Sequence, residues 1–126
     1  MAAATGTQAQ EMNDRNNSRK GTIEKDGTVT DKLLRTTGSF DEYNRIYDKN
    51  RNLMGYYDDY GNFYDAHNNK IGNLSSDGTV TDAHYNRVGR IHIDGAVHDA
   101  SYNKIGWSEE GDNMQKAAYY FFYDLH

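Results

Sequence analysis

The chain of 126 residues has no proline, no cysteine and a single tryptophan. Without cysteine, neither a disulfide framework nor a thiolate metal site can form. Without proline, it lacks one of the residues that soluble proteins use to blunt an exposed strand edge. Hydrophobic residues make up 36%, below the usual share of about 45–50%, so stability must come from regular pairing over an extended surface. No apolar run approaches the roughly 18 residues of a membrane helix, and no membrane span is expected. Basic charge is also short: 14 Lys and Arg stand against 19 Asp and Glu, a net charge of -5, which argues against nucleic acid or an anionic membrane as partner. Residues 1–8 show no basic n-region and no apolar h-region. The expectation is a chain without a Sec signal peptide, cytoplasmic or exported by another route.

What is present is a repeat. Gly72 to Ile105 is one 17-residue phrase written twice, and steps of 17 find Gly21, Gly38, Gly55, Gly72, Gly89 and Gly106. An internal period outranks other clues to architecture. Five complete units span 21–105, and a degenerate sixth unit with an aromatic C-terminal cap spans 106–126. Residues 1–20 are Ala, Thr, Gln, Asn and Ser with scattered charge, and read as a disordered or assembly arm.

With the glycine as position 1, apolar residues recur at position 3 (Ile23, Phe40, Tyr57, Leu74, Ile91), position 9 (Val29, Ile46, Phe63, Val80, Val97) and position 17 (Thr37, Met54, Ile71, Val88, Ile105). Turn residues punctuate them at positions 6 and 7, with Gly27, Gly61, Gly78 and Gly95, and at positions 14 and 15, with Asn52, Asn69, Asn86 and Asn103. Two turns per unit mean two strands per unit. A three-residue first turn opposes position 3 to position 9. A two-residue second turn opposes position 9 to position 3 of the next unit, giving one unbroken apolar row. The expected fold is all-β, an antiparallel meander of β-hairpin repeats; the alternative is a parallel β-solenoid. The solenoid would stack Asp31, Asp48, Asp65, Asp82 and Asp99 as a ladder of like charge, which favours the meander. Ten or more strands rarely stay flat and open, so the sheet should coil, curl towards a barrel or be covered.

The sixth unit breaks after Gly106-Trp107. Met114, Ala117, Ala118, Phe121, Phe122 and Leu125 then fall at helical spacing, with Asp112 and Gln115 as a capping pair. Tyr119-Tyr120-Phe121-Phe122-Tyr123 is rich in strand formers, so a short helix and an aromatic strand remain open as the cap. The unit G-x-I-x-x-D-G-x-V-x-D, with its Ala117-Ala118-aromatic tail, resembles short bacterial hairpin-repeat proteins. That resemblance implies repeat architecture and no particular chemistry. The unit also resembles choline-binding hairpins and wall-associated tyrosine-aspartate repeats, but it lacks the tryptophan per unit of the former and is shorter than the latter.

No phosphate loop, nucleophile elbow or metalloprotease helix is present, and the chain reads as non-enzymatic, with no catalytic residues, metal or cofactor assigned. His67 and His84 share position 13 of successive units, too far apart in a meander to share an ion; His92 and His98 lie on one face and can approach diagonally. Aspartates at position 11 read as turn acceptors before calcium ligands. The leading expectation is a structural protein that assembles with itself into an oligomer or filament. Its open sheet edges would join through Ile23, Val29, Met114, Tyr119, Tyr120, Phe121, Phe122 and Tyr123. The second is a carbohydrate or cell-surface binding module on Tyr43, Tyr47, Tyr56, Tyr57, Tyr60 and Tyr64.

Overall fold

The unit folds as its turn residues dictate. In the first, Gly27 N–H donates to Glu24 C=O at 2.9 Å and Glu24 N–H to Thr28 C=O at 2.7 Å, closing a type I turn whose last residue, Gly27, has φ 94°. Gly61, Gly78 and Gly95 hold the same position with φ 89°, 93° and 98°, and Asn44 with φ 65°. Position 3 then opposes position 9, as expected, in all five units: Ile23 and Val29, Phe40 and Ile46, Tyr57 and Phe63, Leu74 and Val80, Ile91 and Val97.

The second turn departs from expectation. It repeats the first: Leu34 N–H donates to Asp31 C=O and Asp31 N–H to Arg35 C=O. Its single left-handed residue is position 14, at Leu34, Arg51, Asn68, Tyr85 and Tyr102. Asn52, Asn69, Asn86 and Asn103 follow it and hold the turn from the side, each Nδ2 donating to the position-11 aspartate at 3.2–3.5 Å. A longer turn plus a bulge at position 17 sets Val29 opposite Gly38, not Phe40, and the same step recurs at every junction. The apolar row is therefore offset by two residues at each of six junctions. That stagger tilts the strands and lets the sheet close.

The structure, a computed structural model, describes residues 9–109 and 111–125. Twelve antiparallel strands run in sequence order around a closed barrel: β1 (Gln10–Asp14), β2 (Arg19–Ile23), β3 (Thr28–Asp31), β4 (Thr36–Phe40), β5 (Arg45–Asp48), β6 (Leu53–Tyr57), β7 (Asn62–Asp65), β8 (Lys70–Leu74), β9 (Thr79–Asp82), β10 (Arg87–Ile91), β11 (Ala96–Asp99) and β12 (Lys104–Trp107). The strands are four or five residues long, against about 9–11 for a strand that crosses a bilayer. Among the described residues no helix is long and apolar enough to cross a membrane.

Closure corrects the reading of the first twenty residues. Residues 1–8 lie outside the described part, but Gln10–Asp14 is not an arm: it is β1, paired with β2 on one side and β12 on the other. Met12 stands where position 9 would, Asp14 at position 11, Asn17 at position 14 with φ 63°, and Lys20 at position 17. The two ends of the chain thus build a sixth hairpin together, and the sheet keeps no free edge.

The C-terminal segment is helical. Asp112 caps α1 (Asn113–Ala117) by accepting from Met114 N–H and Gln115 N–H. The helix widens into a π-helical stretch (Ala118–Phe122), where Tyr123 N–H reaches back five residues to Ala118 C=O. It enters the barrel, with Ala117, Ala118 and Leu125 fully buried and Tyr119 nearly so. The core is this plug inside a wall of position-3 and position-9 side chains.

Candidate functional site

The repeat glycine acquires its reason from the plug. A Cβ on Gly21 would lie 2.7 Å from Tyr119 Oη, on Gly38 2.5 Å from Leu125 Cδ2 and on Gly55 2.8 Å from Tyr123 Cε1; Gly72, Gly89 and Gly106 face Phe122, Phe121 and Tyr120 in the same way. Around the barrel, Tyr119 to Tyr123 thus meet successive hairpins, and Leu125 takes the remaining socket at Gly38. An α-helix turns about 100° per residue; six sockets ask for one side chain every sixth of a turn, and widening to the π form lowers the rotation per residue towards that spacing. Hydroxyls anchor the fit: Tyr123 Oη donates to Tyr64 C=O at 2.6 Å, Tyr120 Oη to Asn13 C=O at 2.7 Å, and Thr37 Oγ1 to Leu125 C=O at 2.6 Å. Burial pushes the hydroxyl pKa values of Tyr119, Tyr120 and Tyr123 well above the ordinary tyrosine range.

The residues expected to join copies are therefore used inside one copy. Ile23, Val29, Tyr119 and Tyr123 are buried, and Met114, Tyr120, Phe121 and Phe122 are partly buried against the same core. The open edges that the expectation required are paired with each other.

What remains for recognition is the outer wall and its two rims of turns. The tyrosine set divides. Tyr57 points inward, is 5% exposed and packs against Phe63; at position 3 it is core and leaves the set. Tyr47, Tyr56 and Tyr64 stand half-buried on the outer wall, at positions 10, 2 and 10, while Tyr43 and Tyr60 project from adjacent first turns, 68% and 85% exposed. Tyr56 and Tyr64 oppose each other across the strand pair and stack with ring centres 4.9 Å apart and planes 17° apart. Tyr56 Oη donates to Asn68 Oδ1 at 2.8 Å, Tyr64 Oη to Asp58 Oδ2 at 3.2 Å and Tyr47 Oη to Asp41 Oδ2 at 3.3 Å. The Arg45 guanidinium covers the Tyr43 ring at 5.1 Å and is paired to Asp41 at 2.7 Å. Desolvation, reinforced by the Asp58 carboxylate, raises the Tyr64 hydroxyl pKa.

The position-11 aspartates are occupied with their own turns. Asp65 Oδ1 accepts from His67 N–H at 2.8 Å and Asn69 N–H at 3.0 Å, and its Oδ2 from Asn69 Nδ2. Backbone N–H donors, first that of Asn69, hold its pKa below the usual carboxylate value; the same backbone contact leads at Asp31, Asp48, Asp82 and Asp99. Among the described residues no three His, Asp or Glu side chains gather as a metal cage. His92 and His98 do come together, ring centres 4.5 Å apart, and Tyr102 stacks on His98. The sequence pattern brought out the tyrosines and this histidine pair. It did not bring out the glycine sockets, whose signal was present in the invariant position 1 of every unit.

Compared with known families, residues 9–124 match one described as the 5-fold beta-flower protein. The barrel of this chain is built from six hairpins, five of them complete units and the sixth assembled from the chain ends. No curated protein and no solved structure matches the chain.

Proposed function

The chain belongs to the 5-fold beta-flower protein family, and we propose that it is a non-enzymatic binding module that holds carbohydrate, such as a cell-surface glycan, on the tyrosine face of units two and three. The observation that carries this is the clustering of Tyr43, Tyr47, Tyr56, Tyr60 and Tyr64 on the outside of adjacent hairpins, two of them stacked and three with hydroxyls held by neighbouring side chains. A flat ring with an apolar body and a polar tip suits the apolar face and hydroxyl edge of a sugar. Stacking and hydroxyl hydrogen bonds already hold Tyr47, Tyr56 and Tyr64 in place, which lowers the ordering entropy that opposes binding. Binding to a glycan array or to cell-wall polysaccharide should disappear in the double variant Tyr56→Ala, Tyr64→Ala and weaken in Tyr60→Ala. Equal binding by all three proteins would remove the basis of the reading.

Self-association is the second reading, and one observation favours it: the seam. Between β1 and β12 only two residue pairs oppose directly, Asn13 with Trp107 and Asp14 with Gly106, where the other junctions have three or four. If the seam opens, β1 and β12 become the edges through which copies exchange strands.

A further inference from the structure

The histidine pair of unit five has a feature that packing leaves unexplained. His92 Nε2 and His98 Nδ1 are both buried and have no hydrogen-bond partner, although the rings meet edge to face with centres 4.5 Å apart. On the outer wall Tyr47, Tyr56 and Tyr64 find acceptors for their hydroxyls, whereas Arg90 Nε, beside the pair, is buried without a partner as the two imidazole nitrogens are. Two unpartnered imidazole nitrogens on touching rings are costly unless something accepts their lone pairs or shares a proton between them.

We propose that His92 and His98 form a two-nitrogen chelate for a late first-row divalent cation, with Zn2+ as the type, leaving further coordination positions for water or for an incoming ligand. Zinc–imidazole bonds are about 2.0–2.1 Å, and with ring centres 4.5 Å apart and planes 80° apart a rotation of the rings would let each imidazole turn a nitrogen to one shared ion. The backbone holds both residues in place. His92 N–H donates to Ala96 C=O at 2.8 Å and His92 C=O accepts from Gly95 N–H at 2.9 Å at the turn, while His98 opposes Arg90 within the β10–β11 ladder. The ring of Tyr102 completes the cluster, stacked on His98 at 4.5 Å and 16° from coplanar and meeting His92 edge to face at 5.6 Å. Burial first, and then the neighbouring His98 and Arg90, lower the His92 pKa. Arg90 opposes a cation, but Asp77 and Asp94 line the same open cleft of about 580 Å3 with Arg90 and His92 and offset its charge.

Calorimetric titration of the untagged full chain with Zn2+ alone tests this, with Mg2+ as the ion that imidazole does not favour. One saturable equivalent of Zn2+ is expected, no saturable Mg2+ binding, and loss of the Zn2+ isotherm in both His92→Ala and His98→Ala but not in His84→Ala. Both histidines stand outside the core, and circular dichroism melts will show that the variants remain folded. NMR of the imidazole ring protons gives a second readout, with shifts on His92 and His98 together at one equivalent. The proposal is overturned by absent Zn2+ binding at millimolar concentration, by an isotherm unchanged in either variant, or by ring shifts confined to His67 and His84.

Discussion

A glycine at position 1 does different work from a glycine at position 7, although the repeat writes both with one letter. At position 7 the backbone needs positive φ; at position 1 the plug needs the space of a missing side chain. On Gly72 a Cβ would collide with Cε1 and Cζ of the Phe122 ring and fall 2.7 Å from Thr81 C=O. Gly72→Ala should therefore cost on the order of 1–3 kcal/mol by overpacking in urea unfolding, and Phe122→Ala in the same chain should give less than additive loss, because one clash is relieved. Strict additivity would mean the socket does not exist. Gly78→Val should cost on the order of 1–3 kcal/mol through its φ of 93°, whereas the wholly exposed Ile93 should tolerate Thr within about 0.5 kcal/mol. The second turn supplies the converse case: Leu34 sits at φ 65° and is 69% exposed, so Leu34→Gly should stabilise by about 1 kcal/mol, read as a higher melting temperature. The turn aspartates set the response to acid. Their pKa values are lowered in the fold, Asp77 to about 2 from 3.8, chiefly by Ser75 Oγ–H and Thr79 N–H donors. The unfolded chain thus binds more protons than the native one in this range. Stability is whole above about pH 4 and is lost as pH falls towards 2; a melting temperature that does not drop between pH 5 and pH 2.5 would contradict this.

At the scale of elements, the hairpins were legible because turn chemistry and apolar spacing are both local, and the first-turn register followed from them. The second register was not, because position 14 carries Leu34, Arg51, Tyr85 and Tyr102, residues whose propensities oppose the left-handed conformation they adopt; aspartate hydrogen bonds override those preferences. β1 was missed for the opposite reason. A step of 17 back from Val29 and Asp31 reaches Met12 and Asp14, but Lys20 stands in place of the apolar position 17 and no glycine precedes the segment in register. Lys20 serves there by covering the rings of Tyr119 and Tyr120 at 5.7 and 5.8 Å. The helix was half legible, since its apolar spacing pointed inward, but its role as a plug depends on sockets in six distant strands. Gln10 ties β1 to the helix: its Oε1 accepts from Asp112 N–H at 2.9 Å and its Nε2 donates to Gln115 Oε1. Phe122→Ala should cost about 3–5 kcal/mol and Tyr60→Ala less than about 0.5 kcal/mol. A chain ending at Ile105 loses Gly106 with the plug and would leave five sockets and a ring of core side chains without contents, and should lose near-ultraviolet dichroism.

At the scale of the whole molecule, closure decides how this protein can associate. Edge addition was the natural expectation for an open meander without proline, yet stagger at six junctions brings β1 to β12 and removes both edges. Strand exchange between copies would then have to begin at the seam, where two opposed pairs are reinforced by Lys104 Nζ donating to Asn17 Oδ1 at 2.9 Å and by Tyr120 Oη reaching Asn13 C=O. Asn13 and Trp107 face each other directly across it, and opposed antiparallel residues lie about 4.5–5.5 Å apart at Cα, within the range a disulfide spans. Because the chain has no cysteine of its own, Asn13→Cys with Trp107→Cys introduces the only possible bridge. If copies exchange strands through this seam, sedimentation of the double variant at high micromolar concentration should show oligomers when it is reduced and monomers alone when it is oxidised. Oligomers that persist in the oxidised protein would place the association elsewhere on the surface, and a reduced protein that stays monomeric throughout would end the self-association reading and leave the tyrosine face as the molecule's route to a partner.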